Sequence, residues 1–281
     1  MKLPEPHYVV TSDEKHRYTI KTAAGEIVGP LKSVTSILGI IAKPQLIPWA
    51  AREAAGYFKT EILRMGRGAL DPAMLEQIAK DAAGAHRRKA KDAADLGTAC
   101  HDAFEAIILG REPENLPPEL IEPTLDFKRW RLTSDIEIIA TEIAVASARH
   151  RYGGRIDAIG YSPSRGGFGI VDFKTSKSLK YGNEFSYQVG AYAGAASEQY
   201  GVKFSWAEIV RFGKTAPFDS ESRPVIDIKT ALDGFLYALE LTRCSDIVLI
   251  GEPSFCTATI RAIKDISSCT EKTPNKLALG F

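Results

Sequence analysis

The hydrophobic and polar positions of this chain change period several times along its length. Residues 7–30 alternate apolar and polar side chains around Gly25 and Gly29, which predicts a β-hairpin or a small N-terminal sheet. Ser33 then supplies N-cap chemistry ahead of Ile37, which indicates that a helix begins at this point.

Helical composition dominates the next hundred residues. An Ala-rich helix is expected over 49–60. The stretch 72–109 is built mainly of Ala, Lys, Asp, Glu and Leu, with breaks expected near Gly84 and Gly97. Prolines then end this region, and a further helix is expected over 119–132.

Segments rich in β-branched residues begin after residue 133. Two of them, 154–161 and 167–174, are joined by a Ser-Pro-Ser-Arg-Gly-Gly turn and are expected to form a hairpin. The other expected elements are a strand at 137–146, a helix at 184–200, strands at 203–212 and 224–228, and a helix at 230–249. This order predicts an α/β fold, with a mixed central β-sheet flanked by helices and a helical N-terminal region.

The same pattern divides the chain into four regions. They are an N-terminal β-hairpin (1–32), a helical region (33–132), the α/β core (133–266) and a tail (267–281). No apolar run approaches the ~20 residues of a membrane helix, and the N-terminus lacks a signal-peptide pattern. We therefore expect a cytoplasmic protein without membrane association.

Composition leaves the type of partner open. The 281 residues include 36 Lys and Arg against 35 Asp and Glu, a net charge of +1. This balance neither requires nor excludes a nucleic-acid partner, so the local distribution of charge matters more than its sum.

The chemistry of the chain concentrates in two strands that each hold one acid among apolar residues. Asp157 lies in the segment GRIDAI, and Asp172 lies in IVDFK. A buried carboxylate needs a compensating partner, and two acids on adjacent strands repel each other unless a cation lies between them. The pair therefore predicts a divalent metal with oxygen ligands.

Lys174 extends this pattern. It lies two residues after Asp172 and projects from the same face of the strand, whereas Phe173 points into the packing on the other face. A lysine beside a metal-bound carboxylate orients water or stabilises charge on a phosphate. The simpler alternative is a surface hairpin with a cross-strand acid and base, but the apolar flanks and the second acid favour a catalytic site.

These segments resemble a known family. The sequences G-R-I-D (154–157) and V-D-F-K-T (171–175) are similar to the two central motifs of the PD-(D/E)XK nuclease superfamily, and within it of RecB-like exonucleases. The segments 33–38 and 44–51 resemble phage-type and mitochondrial genome-maintenance exonucleases. G-T-A-C-H (97–101) resembles the upstream G-T-x-x-H motif of that family, and Q-V-G-A-Y (188–192) resembles its downstream Q-x-x-x-Y motif. The resemblance covers roughly residues 30–200 and implies a restriction-endonuclease-like nuclease core.

The resemblance also implies a ligand set for Mg²⁺ or Mn²⁺. Asp157, Asp172 and His101 would bind the metal, with the backbone carbonyl of Phe173 as a further ligand. Glu142, in the preceding strand, is a metal-proximal acid by the same likeness. The imidazole of His101 would favour Mn²⁺, since Mg²⁺ prefers oxygen.

Three further groups have alternative interpretations. Glu105 lies one helical turn after His101 and either supports the metal site or faces solvent. Gln188 and Tyr192 share a helix face and either hold DNA and the site or only pack. The basic residues near the site are expected to contact DNA phosphates, unless they form a solvated surface; they are Arg151, Arg155 and Lys177.

Four cysteines raise the question of a second cofactor. Cys100, Cys244, Cys256 and Cys269 resemble the layout of an iron–sulfur cluster in some RecB-like relatives, but the last three lie 12 and 13 residues apart, whereas the family keeps them close. Reduced thiols are the expected state, with the cluster as the alternative.

The sequence therefore predicts a metal-dependent DNA exonuclease. Its substrate would be DNA ends, with single strands favoured by the resemblance, and its setting phage or bacterial recombination, repair or genome processing. A recombination protein or a single-strand-binding protein is a candidate partner. The alternatives are a structure-specific endonuclease of the same superfamily and a DNA-binding subunit with a silent site.

Overall fold

Three strands, five helices and then a mixture of strands and helices follow one another in the computed structural model, which describes residues 1–66, 71–176, 178–179, 183–213 and 217–245. The strands are β1 (Tyr8–Ser12), β2 (Tyr18–Thr22), β3 (Ile27–Ser33), β4 (Glu137–Ser147), β5 (Tyr152–Ser162), β6 (Gly167–Lys174), β7 (Phe204–Phe212) and β8 (Ser220–Pro224). The helices are α1 (Val34–Leu38), α2 (Leu46–Met65), α3 (Pro72–Ala83), α4 (Ala85–Ile108), α5 (Ile121–Thr133), α6 (Asn183–Tyr200) and α7 (Ile228–Ser245). Two 3₁₀ turns cover Pro118–Leu120 and Pro163–Arg165.

The strands form one mixed eight-stranded sheet in the order β1-β2-β3-β5-β6-β7-β8, with β4 also paired to β5. β5 and β6 are antiparallel, as expected of a hairpin, and β6 and β7 are parallel because α6 crosses over between them. β1, β2 and β3 form an antiparallel meander, and β3 joins β5 through two residue pairs. The N-terminal sheet that the sequence predicts is therefore an extension of the main sheet.

Helices cover both faces of the sheet, so the predicted α/β class is confirmed. On one face, Val189 of α6 and Phe235 of α7 pack with Tyr152 and Ile156 of β5. On the other face, Phe104 of α4 packs in an aromatic cluster whose other members are Phe127, Phe173 and Phe212. Phe173 thus points into packing, as the strand periodicity predicts.

Two local predictions were wrong. The helix does not break at Gly97, since α4 runs without interruption from Ala85 to Ile108. An interior glycine costs a helix only about 1 kcal/mol, which packing easily offsets. The last strand is Ser220–Pro224 rather than 224–228. This polar edge strand forms by backbone pairing with β7, and helix α7 begins at Ile228.

The chain divides into two compact units, Met1–Leu239 and Glu240–Phe281, and the core and site belong to the first. Ser33 caps α1 by accepting a hydrogen bond from Ser36 N, as predicted, and the break at Gly84 separates α3 from α4. The predicted tail 267–281 and the predicted end of the last helix at 246–249 lie outside the described residues. None of the helices in the described part of the chain has the length and apolar character needed to cross a bilayer.

Candidate metal centre and its lysine

Asp157 and Asp172 lie on the neighbouring strands β5 and β6. The Asp157 side chain is 14% exposed, whereas Asp172 is 1% exposed. The backbone N–H of Phe173 donates a hydrogen bond to Oδ2 of Asp157 at 2.8 Å. The β6 backbone therefore fixes the carboxylate of β5, and the adjacent acids that the sequence predicts share one site.

Three side chains converge beside Asp157. His101, Glu142 and Asp157 each offer a ligand atom, and these atoms lie within 4.8 Å of one another. His101, carried by α4, places Nδ1 3.5 Å from Oδ1 of Asp157. The register of β4 and β5 pairs Thr141 with Ala158 and Ile143 with Ile156, so Glu142 lies opposite Asp157.

Glu142 has an unusual backbone. Its φ is +53°, the left-handed region that non-glycine residues rarely occupy within a strand. Next to it, the hydroxyl of Thr141 donates to the Asp157 carbonyl at 2.7 Å. Strained backbone of this kind concentrates at functional sites, where the surrounding structure maintains it. The sequence contains no signal for this conformation, since strand alternation predicts a regular residue.

The surroundings of Glu142 oppose the ionisation of its carboxyl group. Burial, followed by the negative charge of Asp157, raises the pKa of Glu142 from 4.5 to about 7, although His101 and Arg155 act in the opposite direction. Glu105, half-buried one turn beyond His101, adds to the negative potential. A divalent cation would remove this repulsion, so the donor set fits the metal that the sequence predicts.

Asp172 and Lys174 form a buried pair, with Nζ 2.6 Å from Oδ2. Oδ1 of Asp172 has no hydrogen-bond partner among the described residues. Burial raises the pKa of Asp172 despite the lysine, and Asp172 and Asp157 raise the pKa of Lys174 despite its own burial. An unsatisfied buried carboxylate oxygen is costly, and a metal ion would satisfy it.

A hydrogen-bonded chain supports Lys174 from α6. Lys174 Nζ donates to Oε1 of Gln188 at 3.4 Å, and Nε2 of Gln188 donates to the Tyr192 hydroxyl at 3.0 Å. Tyr192 is 4% exposed, and its ring lies over Gly154, where an added Cβ would be 2.3 Å from Cε1. Of the two helix positions among the predicted DNA contacts, Gln188 thus lies beside the lysine and Tyr192 lies behind it in the core.

The predicted basic contacts have different locations. Arg155 lies beside Glu142, with 3.7 Å between Nη1 and Oε2. Arg151 occupies the turn between β4 and β5, and the six residues that separate it from Asp157 correspond to about 20 Å of strand. Lys177 lies outside the described residues. The structure therefore brings Arg155 to the site and leaves Arg151 away from it.

Neither of the two described cysteines is among the donor groups that converge beside Asp157. Cys100 is fully buried in the aromatic core next to Phe104, and Cys244 is exposed on α7. Cys256 and Cys269 lie outside the described residues. The predicted choice between thiols and an iron–sulfur cluster stays a prediction.

Comparisons with known proteins give little further information. No protein-family model and no curated protein matches the chain. Among solved structures, the crystal structure of SSO0001 is 14% identical over 74% of this chain and 84% of that chain, with a TM-score of 0.28.

Proposed function

We propose that this protein is a divalent-metal-dependent deoxyribonuclease that hydrolyses phosphodiester bonds at DNA ends. The observation that carries the proposal is the buried Asp172–Lys174 pair on the strand next to Asp157, with an unsatisfied carboxylate oxygen on Asp172. Two further donor groups, His101 and Glu142, have ligand atoms within 4.8 Å of Asp157 and of each other. The resemblance of the four sequence motifs to RecB-like nucleases of the PD-(D/E)XK superfamily supports the same class.

Five groups would hold the metal, Mg²⁺ or Mn²⁺. They are the side chains of Asp157, Asp172, His101 and Glu142 and the backbone carbonyl of Phe173. When bound, such an ion supplies positive charge to a phosphodiester and lowers the pKa of water. Every candidate side chain is at least half-buried, so their positions are set by the fold before substrate arrives.

Lys174 would stabilise the negative charge that develops on the phosphate. The neighbouring acids raise its pKa, so the ammonium stays protonated at neutral pH, which favours charge stabilisation over removal of a proton from water. Asp172 and Gln188 both contact Nζ and hold it in one place. A fixed cation in a buried site is worth more to a developing charge than one in water.

DNA ends, with single strands favoured, are the proposed substrate on the strength of the motif resemblance. Gln188, Arg151, Arg155 and Lys177 are the candidate DNA contacts. A role in phage or bacterial recombination, repair or genome processing follows from the same likeness, with a cytoplasmic location. A recombination protein or a single-strand-binding protein is the proposed partner.

The test is a cleavage assay in Mn²⁺ with linear single-stranded, linear duplex and closed circular DNA. Wild-type protein is expected to degrade a linear substrate and to leave the circle intact. Asp172→Ala and Lys174→Ala should abolish cleavage, whereas Lys203→Ala, an exposed lysine outside the site, should not.

Each alternative gives a different result. Cleavage of the circle would replace the exonuclease assignment with an endonuclease of the same superfamily. DNA binding without cleavage of any substrate would indicate a silent DNA-binding subunit. Undiminished cleavage by Asp172→Ala or Lys174→Ala would overturn the assignment of the site.

A further inference from the structure

Glu142 needs support from its surroundings. Its backbone is in the left-handed region, and its carboxylate lies opposite that of Asp157 and is repelled by it. Left-handed backbone is sterically unfavourable at a non-glycine residue. Contacts elsewhere must therefore keep this side chain in the metal centre.

Arg155 is placed to provide such a contact. It lies two residues before Asp157 on β5 and opposite Ala144, so it is the diagonal cross-strand neighbour of Glu142. The small side chain of Ala144 leaves space for the guanidinium to cross. Nη1 lies 3.7 Å from Oε2 of Glu142, whose side chain is 24% exposed.

The N-terminal sheet in turn holds Arg155. Nη2 of Arg155 donates a hydrogen bond to Oγ of Ser12, the last residue of β1, at 3.0 Å. Burial raises the pKa of Tyr18 on β2, and the adjacent Arg155 guanidinium acts in the opposite direction. The planar guanidinium has donors on separate nitrogens, so it contacts β1 and Glu142 at the same time.

We propose that Arg155 is a positioning residue that holds the Glu142 carboxylate in the metal centre, and that the N-terminal sheet sets metal affinity through it. The inference rests on the proposed function, because it takes the cluster to be a cation site. It gives Arg155 a different role from the DNA contact that the sequence predicts.

The direction in which metal affinity changes when Arg155 is neutralised distinguishes a positioning role from a purely electrostatic one. Arg155 is a cation close to a proposed cation site, so deleting its charge alone would tighten metal binding. Loss of a group that orients a ligand weakens metal binding instead, by about 10–100-fold for supporting groups. A weaker affinity after Arg155 is neutralised therefore indicates positioning.

The experiment measures Mn²⁺ affinity by calorimetry and by the electron paramagnetic resonance of bound ion, without DNA. Arg155→Met is expected to weaken affinity about 10-fold, Arg155→Lys less, and Ser12→Ala about 2-fold. Arg223→Met is the matched control, since Arg223 is 50% exposed against 43% for Arg155 and lies on the edge strand β8, and it should bind like wild type. Asp157→Ala should lose the signal, which assigns it to this centre.

Unchanged or tighter Mn²⁺ binding by Arg155→Met would overturn the inference. Thermal unfolding in chelator checks that each variant is folded, and Ser12→Ala, outside the ligand set, decides the question if Arg155→Met does not fold. Wild-type protein that fails to bind Mn²⁺ would overturn the inference and the metal assignment together. Normal Mn²⁺ binding without DNA cleavage would overturn only the proposed function.

Discussion

One part of the site lies in the regular secondary structure of β6 and α6. There Lys174 contacts both Asp172 and Gln188, and the three side chains are mostly buried. On β4, Glu142 lies in a strained backbone conformation beside the partly exposed His101. We call the first group, with Tyr192, the lysine side of the site and the second group, with Asp157, the metal side. The two sides meet where the Phe173 N–H binds the Asp157 carboxylate.

This difference indicates how each side is maintained. On the lysine side, Lys174 finds its opposite charge on Asp172 and a hydrogen-bond partner in Gln188, so this geometry forms when the protein folds, although Oδ1 of Asp172 keeps no partner among the described residues. The metal side brings together two carboxylates that repel each other and needs a cation to relieve the repulsion. Damage to the lysine side should therefore reduce both stability and activity, whereas damage to the metal side should reduce activity and leave stability unchanged or higher.

The largest effect is expected from Lys174→Met. The change leaves Asp172 buried without its cation, and breaking a buried ion pair costs about 3–5 kcal/mol. Cleavage should fall by about 10³-fold, because a fixed charge next to the phosphate is lost. Urea unfolding and initial cleavage rates measure the two effects. Lys203→Met, at an exposed position, is the control. Wild-type stability in Lys174→Met would show that the pair does not hold the lysine side together.

The next effect concerns the pH dependence of stability in metal-free protein. The pKa of Glu142 is raised from 4.5 to about 7 by folding, so the folded state binds more protons than the unfolded state between these values. The free energy of unfolding should therefore fall as pH rises through this range. After allowance for solvent screening, Glu142 accounts for about 2 kcal/mol of this fall in the free energy of unfolding.

Glu142→Gln measures that contribution directly. Asp172, whose pKa is also raised, lowers the free energy of unfolding over part of the same pH range. The contribution of Glu142 is therefore the difference between the free energies of unfolding of the wild type and the variant. Chemical unfolding is measured in chelator between pH 4.5 and 7, and the free energy of unfolding should fall less steeply with pH in the variant than in the wild type. Equal pH dependence of the two proteins would show that folding does not raise the pKa of Glu142.

A smaller effect is expected from relief of backbone strain. Glycine adopts positive φ without steric cost, so Glu142→Gly should be more stable than Glu142→Ala by about 1 kcal/mol. Both variants should cleave more slowly, because both lack the carboxylate. Thermal unfolding provides the comparison. Glu137 lies in the same strand and is not one of its positive-φ residues. There, Glu137→Ala should be more stable than Glu137→Gly.

The smallest effect is expected from Tyr192→Phe. The ring stays in the core, and only the hydroxyl that accepts a hydrogen bond from Gln188 is removed. Such a loss costs about 1 kcal/mol of stability, and cleavage should slow by no more than about 5-fold, the equivalent of that free energy. A loss of two orders of magnitude or more would mean that Tyr192 acts on the substrate rather than behind Gln188.

The lysine side could be predicted from the sequence because its residues follow regular periods. Asp172 and Lys174 share a strand face, and Gln188 and Tyr192 share a helix face, as the spacings of two and four residues predict. The α/β class and the β5–β6 hairpin follow from similar local patterns. Local periodicity is therefore sufficient wherever the backbone is regular.

The metal side was less accessible to sequence reasoning. Strand alternation predicts that Glu142 is regular, whereas its φ is positive, and no residue type nearby signals this. The contact of Arg155 with Glu142 and Ser12 depends on the register of β4 against β5 and on the position of β1. Packing likewise decides that α4 continues through Gly97 and that a polar segment forms β8. These features are set by distant contacts, which local sequence patterns do not encode.

The most direct test of the central claim compares wild-type protein with Asp172→Asn on linear single-stranded DNA, in Mn²⁺ and in chelator. Asparagine keeps the shape of the side chain and removes the charge proposed to bind the ion. We predict that wild-type protein releases nucleotides in Mn²⁺ and none in chelator, and that the variant is slower by about 10³-fold or more. Equal cleavage by the two proteins, or cleavage that persists in chelator, would contradict a metal-dependent site built on Asp157, Asp172 and Lys174.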